Sequence, residues 1–165
     1  MNASDPHPMR AEKTRRNVLF LCNANSTCSI MAEALLERGG GDDFHAFSGG
    51  TEPKGEIDSA AVDFLKEHQL WRKDMRSKSC HEFLAPDAPP MDFIISVGER
   101  PPAGLPAAWP GRPQVIHWRI TDPTISDSPT AKAQSFRKTF SELENRIRLF
   151  VLVHQKEMKL ATKAA

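Results

Sequence analysis

Residues 17–36 read NVLFLCNANSTCSIMAEALL, and the reading of this stretch decides the fold. Val18-Leu19-Phe20-Leu21 is a short apolar run bounded by polar residues, the signature of a buried parallel strand. Cys22 follows at once, then a polar loop from Asn23 to Ser29. Ile30, Met31, Ala34 and Leu35 then recur at helical spacing, with Glu33 and Glu37 on another face. The order is strand, cysteine loop, helix. Backbone N–H groups at such a loop and helix start form an anion site. The same positive field favours the thiolate of a cysteine placed there, and the thiolate is the reactive form. An anion cradle with a sulfur nucleophile at its base suits phosphate-like oxyanions. The plain alternative is a buried cysteine at a strand end, since free cysteine packs as a small hydrophobe.

Working outward, Gly39-Gly40-Gly41 stops the helix. Phe44 to Phe47 reads as a second short strand running into Ser48-Gly49-Gly50, whose glycines permit turns close to the anion loop. Asp58 is placed to cap a helix with Ala61, Val62 and Leu65 on its apolar face. A short helical piece is expected near Phe83-Leu84, ended by Pro86, Pro89 and Pro90. Asp92 to Val97 is the clearest strand, rich in β-branched and aromatic residues. Residues 99–112 form an irregular proline-rich loop, and Val115 to His117 a brief fourth strand. A long helix from about Ala131 to Val153 carries Phe136, Phe140, Leu143, Ile147 and Phe150 inward. Strands alternating with helices imply a parallel sheet covered on both faces by right-handed crossovers.

The 165 residues suit one domain with a single core. The expected layout is an N-terminal arm over 1–16, the domain over 17–153, and a polar, basic tail over 154–165 that reads as loose chain or as a frayed continuation of the last helix. Net charge is +1, so no broad field draws in nucleic acid or an anionic membrane. No apolar run approaches the roughly 20 residues of a membrane span, and the first sixteen residues lack a signal peptide's apolar core. Three cysteines without an export signal point to a reducing cytoplasm and free, catalytic or redox-active thiols. His45, His81 and His117 have no metal-ligand spacing with the cysteines, so neither a metal nor a cofactor is expected.

Three segments carry a family resemblance. The first is Cys22, Asn25, Ser26, Ser29 and Met31-Ala32-Glu33; the second is Ser48-Gly49-Gly50-Thr51-Glu52-Pro53; the third is His117-Trp118-Arg119-Ile120-Thr121-Asp122-Pro123. Together, and in this order, they resemble the low-molecular-weight protein tyrosine phosphatase superfamily and, within it, the arsenate reductases of that fold. The resemblance runs from about Asn17 to Val153. It implies a three-layer α/β fold with a four-stranded parallel sheet in the order 2-1-3-4. It implies Cys22 as nucleophile, Ser29 as its hydrogen-bond partner and Asp122 as general acid. It implies a small oxyanion, phosphate or arsenate, held by Asn23, Ala24, Asn25, Ser26, Thr27 and Cys28. Asn25 is expected in a left-handed conformation that aims N–H groups inward. The plain alternatives are an N-cap for Ser29, a loop asparagine for Asn25 and a turn aspartate for Asp122.

The departures are as specific as the matches. The family's loop arginine falls on Cys28, and its usual glycine on Ala24. That guanidinium grips an oxyanion through two parallel N–H bonds. Losing such a partner costs about 2–5 kcal/mol, or roughly 30- to 4000-fold in rate when it acts at the transition state. The chain has no tyrosine, and Thr124 and Ile125 stand where the tyrosine phosphatases carry substrate-stacking aromatics, which argues for a small oxyanion. Relatives of the arsenate type pass oxidising equivalents to a second thiol. Their usual relay cysteine falls near Gly98 here, leaving Cys28 and Cys80 as redox candidates. The resemblance implies loop ends close enough for a Cys22–Cys28 bridge, with Cys80 as competing partner. The plain readings are Cys80 as a buried small hydrophobe and Cys28 as filler of the vacated position.

Three functions stay open on the sequence. One is an arsenate reductase-like thiol enzyme served by thioredoxin, glutaredoxin or a small thiol. Another is a weak phosphatase. The third is a non-catalytic module binding an oxyanion or a partner protein. A monomer or weak dimer is expected.

Overall fold

In the computed structural model, the described residues are 14–165. Four strands form one sheet: β1 (Arg16–Cys22), β2 (Phe44–Gly50), β3 (Phe93–Gly98) and β4 (Gln114–Arg119). All pairings are parallel, in the order β2-β1-β3-β4. The expected sheet is therefore present. β2 runs on to Gly50 because Ser48, Gly49 and Gly50 stay in register with Phe20, Leu21 and Cys22. Most of the expected N-terminal arm lies outside the described residues, and Arg16, expected in that arm, already pairs with Phe44.

One face of the sheet holds the larger core. Val18, Phe20, Ile95, Val97 and Trp118 meet α1 (Cys28–Gly39), α2 (Ser59–Glu67) and α3 (Pro129–Ala164) there. The opposite face presents Leu19, Leu21 and Ile94 to Phe83, Met91 and Cys80. A 3-10 helix at Cys80–Leu84 covers it, with Leu105 and Trp109 from the 99–112 loop. The alternation along β1 produces this division, because successive side chains leave opposite faces.

Capping follows the sequence. Asp58 Oδ1 accepts from the N–H groups of Ala60 and Ala61 at 2.9 and 3.3 Å. Ser128 Oγ accepts from Ala131 N at 3.1 Å, with Pro129 in the first turn of α3. One feature differs from expectation. Glu33 is buried, and Ser48 donates a hydrogen bond to it. Arg72 donates to Glu33 Oε1 at 2.8 Å, and Lys78 Nζ lies 3.6 Å from Oε2. It ties α1 to β2 and to the segment after α2, a tertiary pairing that helical spacing alone does not reveal.

At the C-terminus, α3 continues as a helix through the basic tail, in keeping with the tail's reading as a helical extension. Residues 154–158 are held to the domain. The His154 ring packs on Phe93 and Phe150, Gln155 donates to Asp43 at 2.5 Å, and Met158 packs against the core. Most residues beyond Val153 are also strong helix formers.

Candidate functional site

Because every strand runs the same way, the carboxyl ends of β1, β2, β3 and β4 lie along one edge. The chain leaves β1 toward β2 on one side and later enters β3 on the other. The loops diverge at that point, where α/β sheets open a crevice. A cleft of about 480 Å³ lies there. Cys22, Asn23, Ala24, Ser26, Thr27 and Cys28 line it from one side, Val97 to Ala103 from another, and Asp122 from a third.

The loop's conformation is fixed by its carbonyls. Thr51 N donates to Cys22 O at 3.2 Å, Glu52 N to Asn23 O at 2.9 Å, Lys54 N to Ala24 O at 3.1 Å and Asp58 N to Ser26 O at 3.0 Å. Four of the loop's carbonyls are thus engaged by the segment 51–58, and Asn25 N donates to Cys22 Sγ at 3.2 Å. Asn25 sits at φ 45° and is fully buried, as expected. Its side chain accepts from Lys78 N at 2.8 Å and donates to Ser29 Oγ at 2.9 Å. Thr27 precedes α1 without a capping bond from its side chain, and its hydroxyl is buried without a partner among the described residues. The start of α1 is thus open toward the cleft.

Two glycines admit this fold of the loop. A Cβ on Gly50 would stand 2.5 Å from Asn23 O and 3.0 Å from Asn25 N. On Gly49 it would stand 3.0 Å from Cys80 Cα. A side chain at Gly50 would force the loop backbone to shift, and one at Gly49 would press on the Cys80 backbone.

Cys22 Sγ lies 2.9 Å from Ser29 Oγ and accepts from Asn25 N at 3.2 Å. Asn25 donates to Ser29, leaving the serine hydroxyl proton for the sulfur. Ser29 is a fully buried partner inside α1 and does not cap it. Asp122 lines the cleft and also caps the 3-10 turn Pro123–Ile125. Thr124 N and Oγ1 both donate to its Oδ1, at 2.8 and 2.7 Å. Asp122 is thus the turn residue of one sequence reading, and it also stands at the cleft.

The other cysteines part company. Cys28 lines the cleft but is buried, and burial pushes its thiol pKa well up, with Cys22 and Asp122 adding to the effect. Cys80 is fully buried on the opposite face of the sheet, and burial pushes its thiol up too. It is not among the residues lining the cleft. All three thiols are free. Among the described residues no cluster of His, Cys, Asp and Glu could hold a metal, and no helix is long and apolar enough to cross a membrane.

The sequence reading missed the wall of residues 98–103, which it treated as surface loop. The available signal was topological: a loop leaving the carboxyl end of β3 must border the loop leaving the carboxyl end of β1.

A thiol at the end of a parallel strand, in a loop that lines a cleft at the carboxyl edge of the sheet, defines an α/β protein of the cysteine-loop class. Residues 17–163 match the family described as low molecular weight phosphotyrosine protein phosphatase, and the chain belongs to that family, in its arsenate reductase-like branch. It is 27% identical to an arsenate reductase of Halalkalibacterium halodurans over 137 residues, which cover 82% of this chain and 95% of that one. The solved arsenate reductase of Archaeoglobus fulgidus is 28% identical, with a TM-score of 0.63 over 81% of this chain and 98% of that one. A low molecular weight protein tyrosine phosphatase from T. tengcongensis shares the fold at a TM-score of 0.62 and 24% identity, over 85% of this chain and 99% of that one.

Proposed function

We propose that this chain performs arsenate reductase-like thiol chemistry on a small oxyanion through Cys22. The observation that carries this reading is the sulfur's setting. Ser29 Oγ lies 2.9 Å from Sγ and Asn25 N donates to it at 3.2 Å, at the edge of a cleft that Asp122 also borders.

The chemistry follows from those positions. The Cys22 thiolate attacks arsenic in arsenate held by loop N–H groups and forms an S–As bond. One arsenic-bound oxygen leaves as water after taking a proton from Asp122. A second thiol then attacks Cys22 sulfur. An S–S bond forms, the S–As bond breaks, and its electron pair stays on arsenic, which departs as arsenite. Two thiols become one disulfide while arsenic falls from the +5 to the +3 state. A further thiol clears the disulfide and restores Cys22.

The second thiol comes from outside the chain in this reading. Cys80 lies across the sheet. Cys28 is adjacent but its raised pKa keeps it protonated near neutral pH, and a protonated thiol attacks slowly. Cys22 is half-buried and opens on the cleft, so thioredoxin, glutaredoxin or a small thiol can reach it. A reducing cytoplasm suits three free thiols. The chain acts as a monomer or weak dimer in this reading.

One observation favours a second reading. Cys28 stands where the resemblance places a guanidinium, so the cradle lacks the cation that drives turnover. On that reading the loop binds an oxyanion or partner without chemistry. The test is arsenite formation from arsenate with thioredoxin, with glutaredoxin and with glutathione, alongside hydrolysis of p-nitrophenyl phosphate. Arsenite formation that Cys22→Ser abolishes supports the enzyme. Binding of arsenate without product in any assay supports the module.

A further inference from the structure

The cleft needs a positive charge, and the loop around Cys22 contains none. The charged side chains that line it are Glu99, Arg100 and Asp122. Glu99 and Asp122 would repel an oxyanion. Both are engaged: Arg119 Nε donates to Glu99 Oε2 at 3.1 Å, and Thr124 donates twice to Asp122 Oδ1. Lys78 is turned to Glu33 across the 3.6 Å pair, and Lys54 lines a separate recess with Ser26 and Asp58. Arg100 is the one cation on the cleft wall among the described residues, and it has no hydrogen bond or ion pair to any of them.

The backbone delivers it there. β3 ends at Gly98, whose φ of 149° is a conformation L side chains rarely adopt. Ile120 N donates to Gly98 O at 3.0 Å and anchors the turn. The chain then crosses the mouth of the cleft as Arg100-Pro101-Pro102. Pro101 biases Arg100 toward extended backbone, and Pro102 is buried. A guanidinium on a stiff, anchored segment loses less freedom on binding than one on a floppy loop.

We propose that Arg100 is the cation that grips the oxyanion in this cleft, supplied from the loop after β3 in place of the residue that Cys28 displaces. This rests on the reading of the cleft as an oxyanion site. Arg100 would offer paired N–H donors to two oxygens while the loop N–H groups take the others.

The test is calorimetric titration of the full chain with arsenate and with inorganic phosphate. Variants are Arg100→Gln, Arg100→Lys and, as control, Arg112→Gln in the same loop but outside the cleft lining. Expected results are at least about tenfold weaker binding for Arg100→Gln and a smaller loss for Arg100→Lys, which keeps charge without the fork. Arg112→Gln should bind like the parent, and the salt dependence of binding should fall in Arg100→Gln alone. Circular dichroism checks that each variant is folded, and Arg100→Lys carries the test should Arg100→Gln fail to fold. Parent-like affinity in the Arg100 variants, or no anion binding by the parent, overturns the assignment. The two readings separate cleanly. Binding that needs Arg100 without arsenite formation sinks the enzyme and leaves the grip. Arsenite formation undiminished in Arg100→Gln sinks the grip and leaves the enzyme.

Discussion

Cys22 and Cys80 lie on opposite faces of the same end of the sheet, one closing β1 and the other one residue past the Ser79–Gly50 bridge. Their surroundings differ completely. Cys22 receives a hydroxyl and an N–H and opens on a cleft bordered by loop amides. Cys80 is enclosed by Leu19, Leu21, Phe83, Met91 and Ile94, and burial raises its pKa. One residue type at one end of the sheet stands in two settings, a cleft-lining thiol with polar partners and a thiol enclosed by apolar side chains. The difference lies in which face each side chain leaves by and in whether polar donors were folded against it.

The largest expected effect is in reactivity. With limiting iodoacetamide and peptide mapping, Cys22 should be alkylated at least about a hundredfold faster than Cys80, which reacts only through transient opening. Comparable rates would break the contrast.

Cys28→Arg sharpens it next. An in-loop guanidinium should raise turnover by at least about 30-fold, read with p-nitrophenyl phosphate and with arsenate. Unchanged turnover would mean that Ala24 or the 98–103 wall also limits the site.

Gly50→Ala tests the polar side directly. Its Cβ would meet Asn23 O at 2.5 Å, so the loop must shift. Expected losses are about 1–3 kcal/mol of stability by urea unfolding, together with the anion affinity measured by calorimetry. Cys80→Ala, a cavity change on the other face, should cost about 1–2 kcal/mol and leave anion affinity unchanged.

The smallest effect concerns pH. Cys28 and Cys80 have folded-state pKa values raised above the ordinary 9.0. The folded chain then holds protons that the unfolded chain has lost. Their stabilisation is fully present below about pH 9 and declines above it, by up to about 1.4 kcal/mol per unit and per group. Urea midpoints between about pH 8 and pH 10 should fall less in Cys28→Ala and Cys80→Ala than in the parent. A parent curve that stays flat would contradict the burial of both thiols.

Much of this was legible in the chain. The apolar run 18–21, the loop after it and the helical spacing from Ile30 specify strand, loop and helix because local periodicity reports which face is buried. Asp58 and Ser128 sit as caps because a short side-chain acceptor satisfies nearby N–H groups regardless of the rest of the fold. Asn25 was expected to be left-handed and is. These are short-range matters, and the chain alone determined them.

Other features depended on residues distant in sequence meeting in space. Glu33 looked like a surface helical residue until Ser48, Arg72 and Lys78 were brought to it. The tail beyond Val153 showed no partner in the sequence until Phe93 and Asp43 received His154 and Gln155. Cys28 and Cys80 were both redox candidates on the sequence, and the sheet separates them onto two faces. Arg100 had no visible connection to Cys22 across the intervening sequence. The parallel order β2-β1-β3-β4 set the two loops side by side, because parallel strands send all their following loops to one edge. Periodicity and capping report each residue's near neighbours along the chain. Which carboxylate is buried, which thiol is shielded and which cation faces the cleft are set by long-range pairing, and only the tertiary structure decided them.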